Sequence, residues 1–354
     1  MKKYLKILFL AVLFSFIWGA WWGFFNLEKR TPRFKKGPEI RLLARQGFFP
    51  PSFLEDFHSV YQVQIVLTEK NSESEILREA LSNNQSYDLI QVDSFIAKSF
   101  ILENVFFPLE LDEITHFKDI SIDFKNFDFD PDNKYLLPVS WGLNGFLVNT
   151  NRVTLVKESL NELMDAKAKF SIIESPVEIY NLAIKLKPII KNWVETGQSE
   201  ELHKDIKEIR SRFTHLSNDP RAKFQDGSLD VAQIASGKAA KIIDADSHWR
   251  FVLPREGSTL WVGLLGISRG ARDVEFTHQV LNRLLSSKSN RNLIEMSEQS
   301  SVLESLNTSD LPSLQKAEYI RHVPLSRVEL FINHEAFEPI WSQALRKEWS
   351  EFAR

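Results

Sequence analysis

Three stretches of the chain carry residue types that could do chemistry. The first is GISRG, Gly266 to Gly270. Its G-x-S-x-G spacing is that of a nucleophile elbow, where a serine sits on a sharp strand-to-helix turn so that its hydroxyl can attack a carbonyl. That turn must deliver the helix at the serine, yet Arg269, Gly270, Ala271 and Arg272 stand before helical spacing resumes at Asp273. No HGGG-like stretch offers oxyanion donors. GISRG therefore reads as a turn between strand and helix. A serine hydrolase using Ser268 is the remote alternative.

The second stretch is DFDPDN, Asp128 to Asn133. Its acidic spacing is that of a calcium loop, which needs glycine at the sixth position and glutamate at the twelfth. Asn133 and Val139 stand there instead, so a solvated turn is expected. The third is SGKAAK around Lys238, which lacks the upstream glycine of a phosphate loop. The histidines are scattered, and His334-Glu335 runs on into Ala336, Phe337 and Glu338 rather than an H-E-x-x-H zinc pair. No catalytic set, metal site or cofactor site is expected.

Composition narrows the classes further. At 354 residues the chain can bury one large core or two lobes with a core each. A formal net charge of -3 gives no electrostatic case for nucleic acid. The absence of cysteine excludes a disulfide framework, a thiol nucleophile and a lipid-anchored cysteine.

The N-terminus points to export. MKKYLK is basic, and Ile7 to Phe25 is an uncharged apolar run close to the ~20 residues of a spanning helix. Residues 1–25 are expected to be an N-terminal hydrophobic helix, serving as an uncleaved membrane anchor or as a signal peptide. Bulky Trp18 two positions before Ala20 makes a poor cleavage site, while Trp18, Trp21 and Trp22 suit a membrane interface. Residues 26–38 read as a basic linker with more positive charge than the segment before the run, so charge alone leaves the orientation open. Export is favoured because long domains translocate largely regardless of charge.

Beyond the linker, helices and strands alternate. EIRLLARQGFFPPSFLEDFHSVY reads as strand, Pro-Pro break and helix; QVQIVLTE as an alternating strand; SESEILREALSNNQ as an amphipathic helix with Ser72 as its cap and Glu75 three residues on. YDLIQVDSF is a short buried strand followed by a helix. This order indicates an α/β architecture with βαβ units. PVEIYNLAIKLKPIIKNWVETG is helical with a break at Lys187-Pro188. DVAQIASGKAAKIIDA and FVLPREGSTLWVGLLGIS are expected to be strands and turns, and the segment after them helical.

Four of these segments, in order, resemble the periplasmic spermidine/putrescine-binding proteins of ABC importers. They are FFPPSFLEDFHSVYQVQIVLTEKNSESEILREAL, YDLIQVDSFIAKSFILENVFFPLEL, FDPDNKYLLPVSWGLNGFLVNTN and FVLPREGSTLWVGLLGISRGARDVEFTHQVLNRLLS. The resemblance implies a type II two-lobe periplasmic-binding-protein fold. Residues 39–138 and 255–300 would form lobe 1, and 139–254 and 301–354 lobe 2. The chain would cross between lobes near Pro138 and Pro254, with the C-terminal helices packed on lobe 2 and a ligand cleft that closes by hinge motion. It further implies a non-enzyme that captures a small polar or cationic metabolite of the polyamine kind. Its partners would be an inner-membrane ABC permease and, through the N-terminal segment, the membrane. Its place would be periplasmic, secreted or on the outer face of the inner membrane. The alternative within this fold is a membrane-tethered sensor or interaction module with an altered or lost ligand site.

Polyamine recognition needs carboxylates for the ammonium groups and aromatic walls for the methylenes. The resemblance places Arg45 and Phe48 where the family has tryptophan and tyrosine, with Gln46 between them. Asp93 and Phe95 stand for its serine and tyrosine, and Ser175 and Glu178 for its aspartate and glutamate. Ala235 replaces a tryptophan, Gln299 a tyrosine and Gly263 the aspartate that grips the amine, while the strand tryptophan is kept as Trp261. Loss of that aspartate removes a contact worth ~1.5–3 kcal/mol. Arg45 adds positive charge, and Asp93 and Glu178 are the acids that could restore the balance.

Overall fold

The computed structural model describes residues 38–306, apart from 72, 166, 167 and 218, together with the strand 328–330. The expected N-terminal helix, nearly all of the basic linker, the Ser72 cap and the C-terminal helices lie outside these residues. Among the described helices none is long and apolar enough to cross a membrane.

The first unit is β1 (Glu39–Arg45), α1 (Pro51–Tyr61), β2 (Gln64–Lys70), α2 (Glu73–Ser82), β3 (Leu89–Asp93) and α3 (Ala97–Leu102). Pro51 opens α1, where its missing N–H costs nothing, and Gln62 ends it in the left-handed region. Phe53 and Phe57, four residues apart, bury one face of that helix. β3 is buried along its whole length, as a strand covered on both faces must be.

After a stretch of turns come β4 (Leu136–Asn149), α4 (Leu160–Asp165), β5 (Phe170–Ile172), α5 (Pro176–Leu186), α6 (Ile189–Thr196) and α7 (Ser199–Arg210). Next are β6 (His215–Leu216), α8 (Arg221–Gln225), β7 (Val231–Ala235), α9 (Ser236–Ala245), β8 (Trp249–Val252) and β9 (Ser258–Ile267). The chain continues through α10 (Val274–Leu284), α11 (Ser287–Ser297), β10 (Ser300–Ser301) and β11 (Val328–Leu330). Asp273 caps α10 by accepting the Phe276 N–H. The helix break expected at Lys187-Pro188 separates α5 from α6.

One expectation fails here. Ser236–Ala245, expected as strand and turn, is the helix α9. Only β7 is strand, and Ala235 at its end is the extended residue from which the helix starts. Buried Ala239 and Ala240 let α9 lie close on its neighbours. Gly237 is required for the same reason: a Cβ there would lie 2.6 Å from the carbonyl carbon of Glu298.

The described strands form one mixed sheet in the order β2-β1-β3-β9-β4-β7-β5-β6, with β8 and β10 on β4 and β11 on β9. Parallel pairs lie at both ends and antiparallel β3–β9–β4–β7 in the centre. Two apolar clusters cover it. The larger holds Leu42, Phe53, Phe100, Val262 and Leu281. The smaller holds Phe146, Phe170, Ile172, Ile190 and Leu202. β4 carries the chain between them: Leu143 belongs to the larger cluster, Phe146 and Val148 to the smaller.

A buried ion network fastens the first unit to the turn after β9. Asp88 accepts from Arg41 Nη2 at 2.7 Å and from Arg272 Nη2 at 2.8 Å, and from the backbone N–H groups of both arginines. Burial pushes its carboxyl up, but these donors outweigh it and hold the group well below the usual carboxylate range. Ser268 sits in the same turn, fully buried, with its hydroxyl accepting the Gly270 N–H at 3.1 Å. A serine buried and bonded in this way is placed as a turn residue, as expected, and not as an exposed nucleophile. The turn at Asp128–Asn133 is not the solvated one expected: Asp130 and Asn133 are buried, and Asp130 closes the turn from inside by taking the N–H groups of Tyr135 and Leu136.

Candidate ligand cleft

Strand register builds the floor of the candidate site. Side chains alternate along a strand, so Thr259, Trp261 and Gly263 of β9 share one face. β4 sets Asn144, Gly142 and Ser140 directly opposite them. β3 adds Asp93 opposite Gly263, and β7 adds Ala235 opposite Asn144 and Gln233 opposite Phe146. Four residues of strand rise separate Gly263 from Thr259, about 13 Å. Asp93 stands at one end of this face and Trp261 near its middle.

Glu178 marks the other end. It lies in the first turn of α5 and is fully buried, with 6% of its surface exposed. Asn144 Nδ2 donates to one carboxyl oxygen and Gln233 Nε2 to the other, each at 2.8 Å, and the Thr259 hydroxyl donates at 3.3 Å. Burial pushes the carboxyl up to about 7 against the opposing pull of these donors and of Lys185. Asn181 donates to the Thr259 hydroxyl. A small recess beside the carboxyl is lined by Asn181, Lys185, Gly257 and Ser258. A positive partner beside this carboxyl would favour its charged form.

Trp261 is half-buried and joins this group through its indole N–H, which reaches Asn144 Oδ1 at 3.3 Å. Its ring lies on Gly142, where a Cβ would come within 2.7 Å of Cε2. The glycine is what lets the indole lie against the strand.

The Asp93 end is built differently. Asp93 is 4% exposed, and Arg45 Nε lies 3.3 Å from its Oδ2. Gln91 donates to Oδ1 at 2.8 Å and accepts the Arg45 backbone N–H at 3.0 Å. Phe48 is buried against Phe49, with ring centroids 4.9 Å apart, and its ring lies over Gly263. A Cβ on Gly263 would lie 2.5 Å from Phe48 Cε2 and 2.8 Å from the Ser140 hydroxyl oxygen. Buried Gln299 donates to the Phe48 carbonyl at 3.3 Å. Nearby, burial holds the Lys238 ammonium below its usual range despite Asp219 and Glu298, and Arg221 and Arg45 push it the same way.

The remaining expected residues are placed as follows. Phe95 is half-buried against the larger cluster. Gln46 is exposed in the turn after β1, its N–H bonded to the Lys70 carbonyl. Ser175 is half-buried at the start of α5, its carbonyl accepting the Ile179 N–H. Asn144, Gln233, Thr259 and Asn181 were not anticipated, and they are the side chains that surround Glu178. A partial signal existed: Thr259 lies two residues before Trp261, on the same strand face, and Asn144 lies in the WGLNG segment.

Comparison with known proteins agrees with this architecture. Over 247 residues the chain is 23% identical to the spermidine/putrescine-binding periplasmic protein of Escherichia coli, covering 67% of this chain and 70% of that one. It is 22% identical over 257 residues to spermidine/putrescine-binding periplasmic protein 1 of Haemophilus influenzae, covering 70% and 71%. Among solved structures, the Tp0655 (TpPotD) lipoprotein of Treponema pallidum superposes with a TM-score of 0.71 at 17% identity, covering 88% of this chain and 99% of that one. The spermidine/putrescine ABC transporter substrate-binding protein PotD of Streptococcus pneumoniae gives 0.68 at 16% identity over 88% and 99%. Residues 84–323, which contain all four strands of the cleft floor, match the family pattern as well, and the chain belongs to the bacterial extracellular solute-binding proteins.

Proposed function

We propose that this protein captures a small cationic metabolite in the cleft over β3, β9, β4 and β7 and delivers it to an inner-membrane ABC permease. The observation that carries this reading is the buried Glu178 carboxyl, bonded to Asn144, Gln233 and Thr259 and linked through Asn144 to the Trp261 indole. A carboxylate on the same floor as a half-buried indole suits an ammonium or guanidinium group that carries an apolar chain, by ion pairing at the acid and packing on the ring. The polyamines in the names of its relatives are of this chemical kind. Trp261 and Glu178 are the principal contacts. Asp93, Phe48, Phe95, Arg45, Gln46 and Ser175 complete the surroundings.

In this reading residues 39–138 with 255–300, and 139–254 with 301–354, are two lobes that close on the ligand. The protein works outside the cytoplasm, held at or released from the membrane by residues 1–25, and performs no catalysis. A thermal-shift screen of the full-length chain against amines, guanidines, amino acids and sugars tests it. A true ligand at 100 times its dissociation constant adds about 2.7 kcal/mol of stability. A shift from amines or guanidines is expected. A shift from sugars alone would reject the cation reading, and no shift from any class would favour the membrane-tethered module without a ligand.

A further inference from the structure

The two acids of the cleft differ in what already holds them. Asp93 has a cation beside it: Arg45 Nε lies 3.3 Å from Oδ2, and Gln91 takes the other oxygen. Next to it, Gly263 offers no side chain, and the Phe48 ring fills the volume that one would need. Phe48 is not a loose cover, since it is 1% exposed and its carbonyl is bonded by Gln299. Lys238, close enough to feel Arg45, adds a second positive charge to this end, with Asp219, Glu298 and Arg221 around it. Glu178 is bonded by the neutral groups of Asn144, Gln233 and Thr259, with Lys185 acting on it through space.

We propose that Phe48 and Arg45 close the Asp93 end of the cleft to cations, so that the site takes a ligand with a single cationic centre. An ammonium or guanidinium sits at Glu178, and an uncharged remainder runs along Trp261. This rests on the reading of the cleft as a site for a small cation. A second ammonium about 13 Å along the floor would meet the Arg45 guanidinium already paired with Asp93, and juxtaposed like charges discriminate strongly against a partner. Phe48 and Arg45 thus act as specificity determinants, and Glu178 as the anchor.

Calorimetric titration of the full-length protein with a terminal nine-carbon diamine and with n-nonylamine tests this, because the two share a chain, differ in one ammonium, and the extended diamine reaches about as far as the Thr259–Gly263 span. The monoamine is expected to bind at least as tightly as the diamine. Arg45→Ser, which removes the cation beside Asp93, is expected to raise diamine affinity relative to monoamine affinity about tenfold, the scale of one charge-assisted contact. The wild-type comparison needs no variant and decides the matter even where Arg45→Ser misfolds. Diamine binding more than tenfold tighter than monoamine to the unaltered protein would overturn the single-cation inference and leave the cation site standing. Binding of neither amine at millimolar concentration would overturn both.

Discussion

The ring of Phe48 occupies the space that a side chain at position 263 would need: a Cβ on Gly263 would lie 2.5 Å from Phe48 Cε2. Phe48 comes from the turn after β1 and Gly263 from the middle of β9, so the contact locks the first unit onto the central strands. Gly263→Ala is expected to cost about 1–3 kcal/mol in urea unfolding, the usual penalty for overpacking. In a Phe48→Ala background the same change should be nearly neutral, because the clash is gone. A double-mutant cycle reads the coupling directly; strict additivity would show that the two positions do not compete for the same volume.

Gly142 and Trp261 form a second such pair, and here the consequence falls on binding. Gly142→Ala pushes on the indole at Cε2, 2.7 Å from the added Cβ. The expected outcome is a loss of ligand affinity of about tenfold or more, close to that of Trp261→Ala, since a misplaced ring forfeits its packing against the ligand's apolar chain. Unchanged affinity in both variants would mean that the indole is packing and not a wall of the site.

Asp88 makes a prediction about stability against acid. Its folded carboxyl is held low by Arg41 and Arg272, so the stability it contributes is full above the unfolded carboxylate range and is lost as pH falls below it. Asp88→Asn removes the buried carboxylate that the partly exposed Arg41 and the exposed Arg272 pair with and is expected to cost about 1.5–3 kcal/mol at pH 7, the scale of a charged hydrogen bond. The gap between wild type and variant should shrink on acidification, measured by denaturant unfolding at stepped pH. A gap that stays constant down to pH 3 would contradict the network's role.

Glu178 has the opposite sign. Its folded carboxyl is raised to about 7 from 4.5, so the folded protein keeps a proton that the unfolded chain has released. Stability is therefore lost as pH rises across that window, by a total on the order of 3 kcal/mol. Glu178→Gln should remove most of this slope. A cationic ligand should restore the carboxylate and expel the proton, so calorimetric enthalpies near pH 6 should vary with the ionisation heat of the buffer. Buffer-independent enthalpies at that pH would place the cation elsewhere.

The framework of this protein was legible in its sequence because the relevant signals are local. β1, β3 and β9 are apolar runs bounded by turns, α1 follows a Pro-Pro break, and Trp261 stands within the β9 run. α9 was missed because Ser236 and Gly237 read as a turn, whereas Gly237 is there for a close approach to Glu298 that only the folded chain reveals. The site was half legible. Glu178 and Trp261 stood out by residue type and by resemblance, but the partners of Glu178 come from β4, β7 and β9, which lie far apart in the chain. The glycine at 263 was visible as a missing carboxylate. That Phe48 fills the vacated volume, and that Arg45 pairs with Asp93, are tertiary facts without any short-range signature.

The claim on which the rest depends is that Glu178 anchors a small cation beside Trp261. Its most direct measurement is the dissociation constant of n-butylamine for the full-length protein at pH 8, above the value of about 7 to which burial raises the carboxyl, compared with Glu178→Gln. The account predicts saturable binding that weakens at least tenfold in the variant, the scale of a charge-assisted contact. Equal binding to the two proteins would contradict it.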